Sequence, residues 1–469
     1  MHPTVSALGI ASLVAAKQVS PIEVARFCLD RLDRLNPLVN AIVWRDDEQL
    51  LRAAEAAEQR VMSGEPLPPF LGVPVPVKEL TQAAGQPNTL GSLGISDVVQ
   101  KESDVCIDRL TDAGMLLMGR SNAPEMGPMS VSENRRYGAT ANPWDPSYSA
   151  GGSSGGAAAA VAAGLAPVAQ ASDGGGSIRM PSSCCGTVGL KPSRGRVPMA
   201  APLWEHGVTD GMITRTVADA AALLDVLAAP DPLAWDVAAP LRRPLADEVG
   251  AAPGRLRIGL LTEAPTGLPV DPDCVRAAQR LAAVLEDFGH VVEPAEFTGY
   301  SPEAVQGYLE VVINAWLWTT DYDDVSLAEP YLRHRRRLGT ERTAAEYARA
   351  AHRIHRESRD VVRQWQTSWD VLLTPTMATT PPPLGVVLDE ANRDPDGPRL
   401  TENQMVSFTA FANIAGLPAI SLPVHSTGSG LPVGAQLIGG PADEATLIRL
   451  ASQVEPAFSW TTAIPDVFA

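Results

Sequence analysis

The chain has 469 residues, of which 45% are hydrophobic and 19% charged, and its formal net charge is −17 at pH 7. This composition predicts a globular protein with a sizeable core, while the negative charge argues against nucleic acid and anionic membranes as partners. The N-terminal residues show no basic stretch followed by an apolar run, and no segment reaches transmembrane length. We therefore expect a cytoplasmic protein with neither a signal peptide nor a membrane span.

The first half of the chain alternates predicted helices with short strands. Ser20 to Glu23 form a capping box with proline at the first helical position, which predicts a helix that ends near Leu35. The elements predicted after it are a helix over 46–62, a strand over 73–78, a helix over 104–113 capped by Ser103, a strand over 115–118, a loop over 126–136, a helix over 157–163 and a strand over 166–171.

The second half continues this alternation and shows no internal repeat. Its predicted elements are a helix over 214–227, a surface excursion over 230–253 that is rich in Pro and Ala, a strand over 255–261, a helix over 273–288, a mostly helical region over 302–370, a strand over 371–375 and a helix over 443–454. Strands that alternate with helices indicate a large α/β sandwich.

Cysteine and lysine are both rare in this chain. The five cysteines are scattered and odd in number, so we expect small buried thiols rather than a disulfide framework or a zinc site. Arginine supplies most of the positive charge, and only four lysines occur. One of them, Lys78, lies at the end of the apolar stretch Val73 to Val77 and requires an explanation.

Two glycine-rich segments flank the predicted helix over 157–163. Ser153 lies in GGSSGG (Gly151 to Gly156), and Ser177 ends GGGS (Gly174 to Ser177). Glycine lets a backbone turn sharply and approach a ligand with its N–H groups facing outward. A serine in such a setting can act as a nucleophile when a base lies near it. The alternative, two flexible loops around a buried helix, fits poorly because an apolar helix and a strand directly adjoin the glycines.

Six segments share their order and spacing with one known family. They are LGVPVPVKEL (71–80), SNAPEMG (121–127), NPWDPSYSAGGSSGG (142–156), SDGGGSIRMPSSCCGTVGLKPSRGRV (172–197), ANIAGLPAISLP (412–423) and LPVGAQLIG (431–439). Through them nearly the whole chain resembles the amidase signature family of serine hydrolases. The resemblance implies an α/β amidase signature fold, a large mixed β-sheet sandwiched between layers of helices. It also implies a single domain over 1–469, with a signature core over about 70–230 and a mostly helical insert over about 300–370.

The same resemblance implies a catalytic role for three side chains. Ser177 matches the nucleophile, Ser153 matches the bridging serine that stands on a cis peptide bond, and Lys78 matches the base. The amides of Gly174, Gly175, Gly176 and Ser177 match the oxyanion hole, where fixed donors must face a developing negative oxygen. The family needs neither a metal nor an organic cofactor for this chemistry.

Physical chemistry is consistent with these roles. A lysine accepts a proton only when it is neutral, and burial in an apolar strand lowers the pKa of its amine. The alternative for Lys78 is an ion pair with Glu79, which strand alternation places on the opposite face. Asp173 and Arg179 flank the second glycine cluster, and we expect them to form an ion pair that supports it. Ser153 could instead cap the following helix, although Ser154 fits that position at least as well.

The substrate is the part of the function that the sequence restricts least. The motifs are most similar to the branch that contains aryl acylamidases, nylon-oligomer hydrolases and urethane hydrolases. By the resemblance, the pocket should include the loop residues Met126, Gly127, Met129 and Ser130, together with Ser154. Methionines provide an adaptable apolar wall without a charged anchor. We therefore expect small neutral amides, carbamates or esters with an apolar or aromatic part.

A second candidate wall is the helical insert. Tyr308, Val312 and Trp316 recur at every fourth position and so share one helix face. This pattern fits a substrate lid and ordinary core equally well, and Phe408 and Phe411 leave the same choice open.

Other functions fit parts of the pattern. GGSSG (Gly151 to Gly155) matches the nucleophile elbow of α/β-hydrolases, with His425 as a late histidine. The glutaminase subunit of tRNA-dependent amidotransferases belongs to the same family and would need partner chains. A non-catalytic binding protein would not be expected to retain Lys78, Ser153 and Ser177. A freestanding hydrolase is the preferred interpretation, and a homodimer remains open.

Overall fold

The computed structural model of the chain describes all residues from 1 to 469 and has a mixed α/β architecture. Its helices are α1 (Ala7–Ala15), α2 (Pro21–Val39), α3 (Asp47–Ser63), α4 (Val105–Asp112), α5 (Gly155–Ala162), α6 (Arg179–Cys185), α7 (Val217–Leu227), α8 (Pro272–Asp287), α9 (Pro302–Gln306), α10 (Ile313–Trp316), α11 (Pro330–Thr340), α12 (Ala344–Thr367), α13 (Val386–Arg393), α14 (Leu400–Val406), α15 (Ala410–Ala415) and α16 (Glu444–Val454). A π-helix over Gly307–Val312 joins α9 to α10. None of these helices is long and apolar enough to cross a membrane.

The strands are β1 (Ile42–Trp44), β2 (Pro74–Lys78), β3 (Leu116–Ser121), β4 (Glu133–Asn134), β5 (Gly138–Ala139), β6 (Ala169–Asp173), β7 (Val188–Lys191), β8 (Thr209–Thr214), β9 (Arg257–Leu260), β10 (Val291–Pro294), β11 (Val371–Pro375), β12 (Ala419–Ser426) and β13 (Pro432–Gly439). Short 3₁₀-helices cover Leu245–Glu248, Val325–Leu327, Glu455–Ala457 and Asp466–Phe468.

Eight strands form one large mixed sheet, in the order β10-β9-β11-β13-β12-β7-β8-β6. β9 pairs in parallel with β10 and β11, whereas all other neighbours in this sheet are antiparallel. A three-stranded sheet has the order β1-β3-β2, and β4 pairs with β5. Since β2 packs against β6, the edge strand of the small sheet meets the edge strand of the large one.

Helices cover both faces of the large sheet. On β13, a Cβ built on Gly434 would point at Ser183 of α6, and one built on Gly439 would point at Leu447 of α16. Positions five residues apart on a strand face opposite sides. The layers of helices around a mixed sheet therefore agree with the expected fold.

The side chains left open between lid and core are largely buried. Tyr308 and Val312 belong to a small apolar cluster with Ile354 and Ile414, and Trp316 packs against that cluster while partly exposed. Phe408 and Phe411 are buried in a second cluster around Trp365 and Trp369. These residues therefore contribute to the packing of the core. All five cysteines are buried as well, as expected for small core side chains.

Most predicted elements agree with the structure, and the exceptions have local causes. The Ser103 cap is wrong, because α4 begins at Val105 and the Ser103 hydroxyl instead accepts a hydrogen bond from the Ala84 N–H at 3.0 Å. β8 lies directly before the helix expected over 214–227, and its six residues are all buried. Such a strand lacks the polar alternation that reveals a half-buried one. The loop expected over 126–136 contains β4.

Candidate active site

Lys78 ends β2 in a fully buried setting. Its backbone N–H donates to Gln170 Oε1 at 3.0 Å, which ties β2 to β6. The side-chain amine has three oxygen partners: Ser153 Oγ at 2.8 Å, Ser172 Oγ at 3.0 Å and the Ser172 carbonyl at 3.2 Å. Burial lowers the pKa of Lys78 to about 7, against the opposing effect of the Asp173 and Asp210 carboxylates.

Those three partners suit both protonation states of the amine. A neutral amine has two N–H donors and one lone pair, so it can donate to Ser172 twice and accept from the Ser153 hydroxyl. An ammonium group has three donors and can serve all three oxygens. The two states differ by one proton between Lys78 Nζ and Ser153 Oγ, so the arrangement can move a proton without moving heavy atoms.

The ion pair between Lys78 and Glu79, considered from the sequence, does not form. Glu79 binds Arg120 instead, with Arg120 Nε 3.1 Å from Glu79 Oε2 and both side chains buried. Arg120 also donates to the Thr81 carbonyl at 2.6 Å. The charge of Glu79 is therefore neutralised on the opposite side of the strand. The Lys78 amine contacts Ser153 and Ser172 instead.

The segment around Ser153 is held by Ser132. The peptide bond between Gly152 and Ser153 is cis. Ser132 Oγ accepts from the Gly155 N–H at 2.7 Å and donates to the Ser153 carbonyl at 3.0 Å. Ser154 occupies the N-cap position of α5, but its hydroxyl makes no cap and instead donates to the Ser172 carbonyl at 3.1 Å. The side chain of Ser153 is thus free to face Lys78.

The segment between β6 and α6 carries Ser177. Its carbonyl accepts from the Ser154 N–H at 3.2 Å, which joins the two glycine-rich segments. Ser177 as a residue is 8% exposed, compared with 3% for Ser153 and 0% for Lys78. Of the three, Ser177 is therefore the side chain that a substrate can reach most easily.

The Asp173 carboxylate organises this segment. Arg179 contacts both of its oxygens at 3.0 Å, and the N–H groups of Gly176 and Ile178 donate to it at 2.7 and 3.1 Å. Asn413 adds a further donor at 2.8 Å. The expected ion pair is thus present in the structure and connects the segment to α15.

One expected oxyanion donor differs from the others. The single N–H of Gly176 is engaged with Asp173, so in this conformation it does not face a substrate. The N–H groups of Gly174, Gly175 and Ser177 make no hydrogen bond within the protein. A Cβ on Gly175 would meet nothing within 4 Å, whereas one on Gly174 would lie 2.7 Å from the Trp204 ring. The open side of the segment is therefore at Gly175.

The expected pocket loop lies beside the helical insert. Met126 and Gly127 have positive φ angles of 59° and 91°, and Met129 and Ser130 are buried. Arg399 lies 3.5 Å from the Met129 sulfur and is paired with Glu402. The ion pair of Arg399 and Glu402 thus lies next to Met129 of the apolar wall. The sequence did not indicate this contact.

Other polar residues of the site were not predicted. Ser172 and Gln170 contact Lys78, and Thr409 Oγ1 donates to the Gly175 carbonyl at 2.6 Å. The two strand residues lie two positions apart on β6, so alternation could have placed them on one face with Lys78. Thr409 had no such signal, because it is more than two hundred residues away in sequence.

Comparison with known proteins identifies the class that this fold and site define. The Amidase family model matches residues 23–448, so the chain belongs to the amidase signature family. It is 33% identical to a 6-aminohexanoate-cyclic-dimer hydrolase of Paenarthrobacter ureafaciens, over 97% of this chain and 95% of that protein. It is 34% identical to an acylamidase of Rhodococcus erythropolis, over 98% and 97%.

Solved structures agree with this assignment. A 6-aminohexanoate cyclic dimer hydrolase complexed with substrate superposes with a TM-score of 0.91 at 30% identity, over 100% of both chains. A bacterial aryl acylamidase of the amidase signature family superposes with a TM-score of 0.87 at 27% identity, over 96% of both chains. The chain is accordingly an amidohydrolase that acts on the C–N bonds of amides.

Proposed function

We propose that this amidohydrolase cleaves neutral amides, anilides and carbamates, and some esters, through an acyl-enzyme on Ser177. The observation that carries the proposal is the 2.8 Å contact between Lys78 Nζ and Ser153 Oγ in a buried setting. Serine is a poor nucleophile at neutral pH and needs a base. A buried lysine with its pKa lowered to about 7 can supply that base without a histidine.

The proposed reaction has two steps. Ser177 Oγ attacks the substrate carbonyl carbon while its proton passes to Ser153 Oγ, whose own proton passes to Lys78 Nζ. The tetrahedral intermediate then collapses, the C–N bond breaks, and the leaving amine takes the proton back along the same relay. A water molecule repeats the sequence on the acyl-enzyme, releases the acid and restores Ser177.

The N–H groups of Gly174, Gly175 and Ser177 would stabilise the oxyanion of each intermediate. These donors are unpaired and lie in a segment that the Asp173 and Arg179 ion pair holds in place. Fixed donors cost little reorganisation when the charge appears. We assign Gly176 to support of the segment, because its N–H already binds Asp173.

The proposed substrate preference rests on the pocket wall. Met126, Gly127, Met129, Ser130 and Ser154 are the assigned contacts, and none of these five residues carries a charge. An ionised group on the substrate would therefore find no charged partner among these contacts. The names of the relatives, a cyclic-dimer hydrolase and an acylamidase, also point to uncharged amide groups. We further propose that residues 1–469 form one domain, with the signature core over about 70–230 and the insert over about 300–370.

Two other functions have less support. A nucleophile elbow at Ser153 would require a histidine beside it, and His425 instead binds Asp273 at 2.8 Å. A glutaminase subunit would need partner chains, and it would select a substrate with a polar side chain and a charged α-amino acid group. The apolar loop around Met129 favours the freestanding hydrolase.

A substrate panel tests this function. It contains a p-nitroanilide, an aryl carbamate, an aryl ester, a linear nylon oligomer and glutamine, each assayed with the purified chain. We expect turnover of the anilide and the carbamate, at a kcat/KM well above that for glutamine. Exclusive turnover of glutamine, or copurification of stoichiometric partner chains required for activity, would contradict the proposal. Light scattering on the same sample determines whether the protein is a homodimer.

A further inference from the structure

A buried carboxyl group lies one strand away from the Lys78 site and has no role in the proposed reaction. Asp210 is on β8, where it pairs directly with Ser172 of β6. Residues paired across antiparallel strands have their side chains on the same face. Ser172 Oγ contacts Lys78 Nζ at 3.0 Å, so Asp210 belongs to the sheet face that carries the lysine.

Gln170 connects Asp210 to Lys78. Its Oε1 accepts from the Lys78 backbone N–H at 3.0 Å, and its Nε2 donates to Asp210 Oδ1 at 3.3 Å. Gln170 is itself completely buried and also donates to Thr81 Oγ1 at 3.1 Å. The carboxyl group is therefore held in place by the same side chain that holds the end of β2.

Asp210 forms no ion pair, although it is only 7% exposed. The titratable groups that face it are Lys78 from β2, the Cys106 thiol from α4 and the Asp104 carboxylate that precedes α4. The other buried cations near this region are engaged elsewhere, Arg120 with Glu79 and Arg179 with Asp173. Lys78 is thus the positively charged group with which an ionised Asp210 interacts.

The neighbours of Asp210 shift its pKa in known directions. Burial and, to a smaller extent, the Asp104 carboxylate raise the pKa of Asp210, whereas the Cys106 thiol and Lys78 lower it, and together they leave this pKa at about 7. In the opposite direction, the Asp210 carboxylate raises the pKa of Lys78 and so offsets part of the effect of burial. The two groups therefore titrate as a coupled pair in the neutral range.

We propose that Asp210 is a positioning residue that acts through Lys78, setting the pH at which the lysine amine is free to accept the Ser153 proton. When Asp210 is ionised it stabilises the ammonium form, and when it is neutral the amine loses its proton more readily. This inference rests on the proposed function, because it assumes that Lys78 is the base. In this proposal Asp210 does not touch the substrate. It determines the pH range in which Lys78 can take part in the proton relay.

The test is the pH dependence of kcat/KM for the wild type and for Asp210→Asn, with the p-nitroanilide as substrate. Asparagine keeps the shape and the acceptor for Gln170 but removes the charge. We expect the acid limb to move to lower pH by up to roughly one unit, because the variant has no carboxylate to stabilise the ammonium form of Lys78. The variant should be several-fold faster than the wild type on the limb near pH 7, where Asp210 ionises, and the two rates should converge at lower pH, where Asp210 of the wild type is protonated. KM should change little.

Asp104→Asn is the matched variant, and it should move the acid limb in the opposite direction. It removes a negative charge that keeps Asp210 protonated, so Asp210 should ionise more readily and move the acid limb to higher pH. If Asp210→Asn does not fold, Cys106→Ala takes its place. Loss of the thiol donor makes Asp210 less acidic, which should move the limb to lower pH by a smaller amount.

An acid limb that stays in place in Asp210→Asn, or moves to higher pH, would overturn the inference. A purely structural role for Asp210 would lower activity by the same factor at every pH and leave the limb unmoved. Failure of the proposed function looks different. In that case the wild type itself would lack the acid limb, or Lys78→Ala would retain activity.

Discussion

Asp173 and Arg179 form a two-point ion pair in which both side chains are completely buried, and the segment that carries Ser177 lies between them. Burial alone would raise the pKa of Asp173, but the charge and hydrogen bonds of Arg179 outweigh it and hold that pKa well below its usual range. The carboxylate is therefore ionised at every working pH. It fixes the Gly176 and Ile178 amides and leaves the neighbouring donors free.

Removal of this ion pair should cost stability and turnover together. Arg179→Ala leaves a buried carboxylate without its partner, which typically costs about 3–5 kcal/mol of unfolding free energy. We expect chemical denaturation to show that loss and steady-state kinetics to show a lower kcat. Arg179→Lys, which keeps the charge but loses the second contact, should lie between the two. A change confined to KM would instead assign Arg179 to substrate binding.

Two adjacent glycines should respond differently to the same substitution. Gly176 has a φ of +133°, and a Cβ there would lie 2.4 Å from Thr409 Oγ1. We expect Gly176→Ala to lower stability by about 1–3 kcal/mol through backbone strain, with a further loss from the clash and a fall in kcat. Gly175→Ala, whose Cβ would meet nothing within 4 Å, is the control. Equal thermal stability of the two variants would contradict the conformation described for this segment.

The rate of hydrolysis should rise with pH through the neutral range. Burial lowers the pKa of Lys78 to about 7, so the fraction of free amine grows as the pH passes that value. Lys191 is a second buried lysine whose pKa burial also lowers to about 7, and its amine donates to the Pro192 carbonyl at 2.6 Å. Lys191→Met should therefore keep the acid limb in its kcat/KM profile. Loss of the limb in Lys191→Met, or activity near the wild-type level in Lys78→Ala at pH 7, would contradict the assignment.

A charge at Met129 should impair hydrolysis of apolar substrates. Met129 is buried in the proposed pocket loop, and a carboxylate there would have to be desolvated when the substrate binds. We expect Met129→Asp to lower kcat/KM for the anilide and the carbamate by roughly tenfold or more. Met129→Leu keeps the volume and polarity and should stay within about threefold of the wild type. Equal kinetics for the two variants would remove Met129 from the pocket.

Local sequence patterns predicted the elements well where several neighbouring residues indicate the same element. The strand Val371–Pro375 and the capping box at Ser20 both agree with the structure. The cap assigned to Ser103 was wrong, because its hydroxyl is used by the distant backbone of Ala84. A cap depends on a single hydrogen bond, and any nearby donor in the folded chain can compete for it.

Contacts between strands were beyond the reach of the sequence. Glu79 could be separated from Lys78 by alternation, but its partner Arg120 comes from another strand. The connection from Lys78 through Gln170 to Asp210 spans three strands, one of which, β8, was not predicted. Such networks depend on strand order and register, which a single sequence does not specify. The motif resemblance could name Lys78 as a candidate base. Asp210, which affects the pKa of Lys78, could be found only from the structure.

The most direct test of the account is to locate the covalent intermediate. A p-nitrophenyl ester that acylates rapidly and deacylates slowly is mixed with the enzyme, the reaction is quenched in acid, and the peptides are examined by mass spectrometry. The account predicts one acyl group on Ser177, absent in Ser177→Ala and formed much more slowly in Lys78→Ala. An acyl group on Ser153 or Ser154, or turnover of the ester by Ser177→Ala at the wild-type rate, would contradict it.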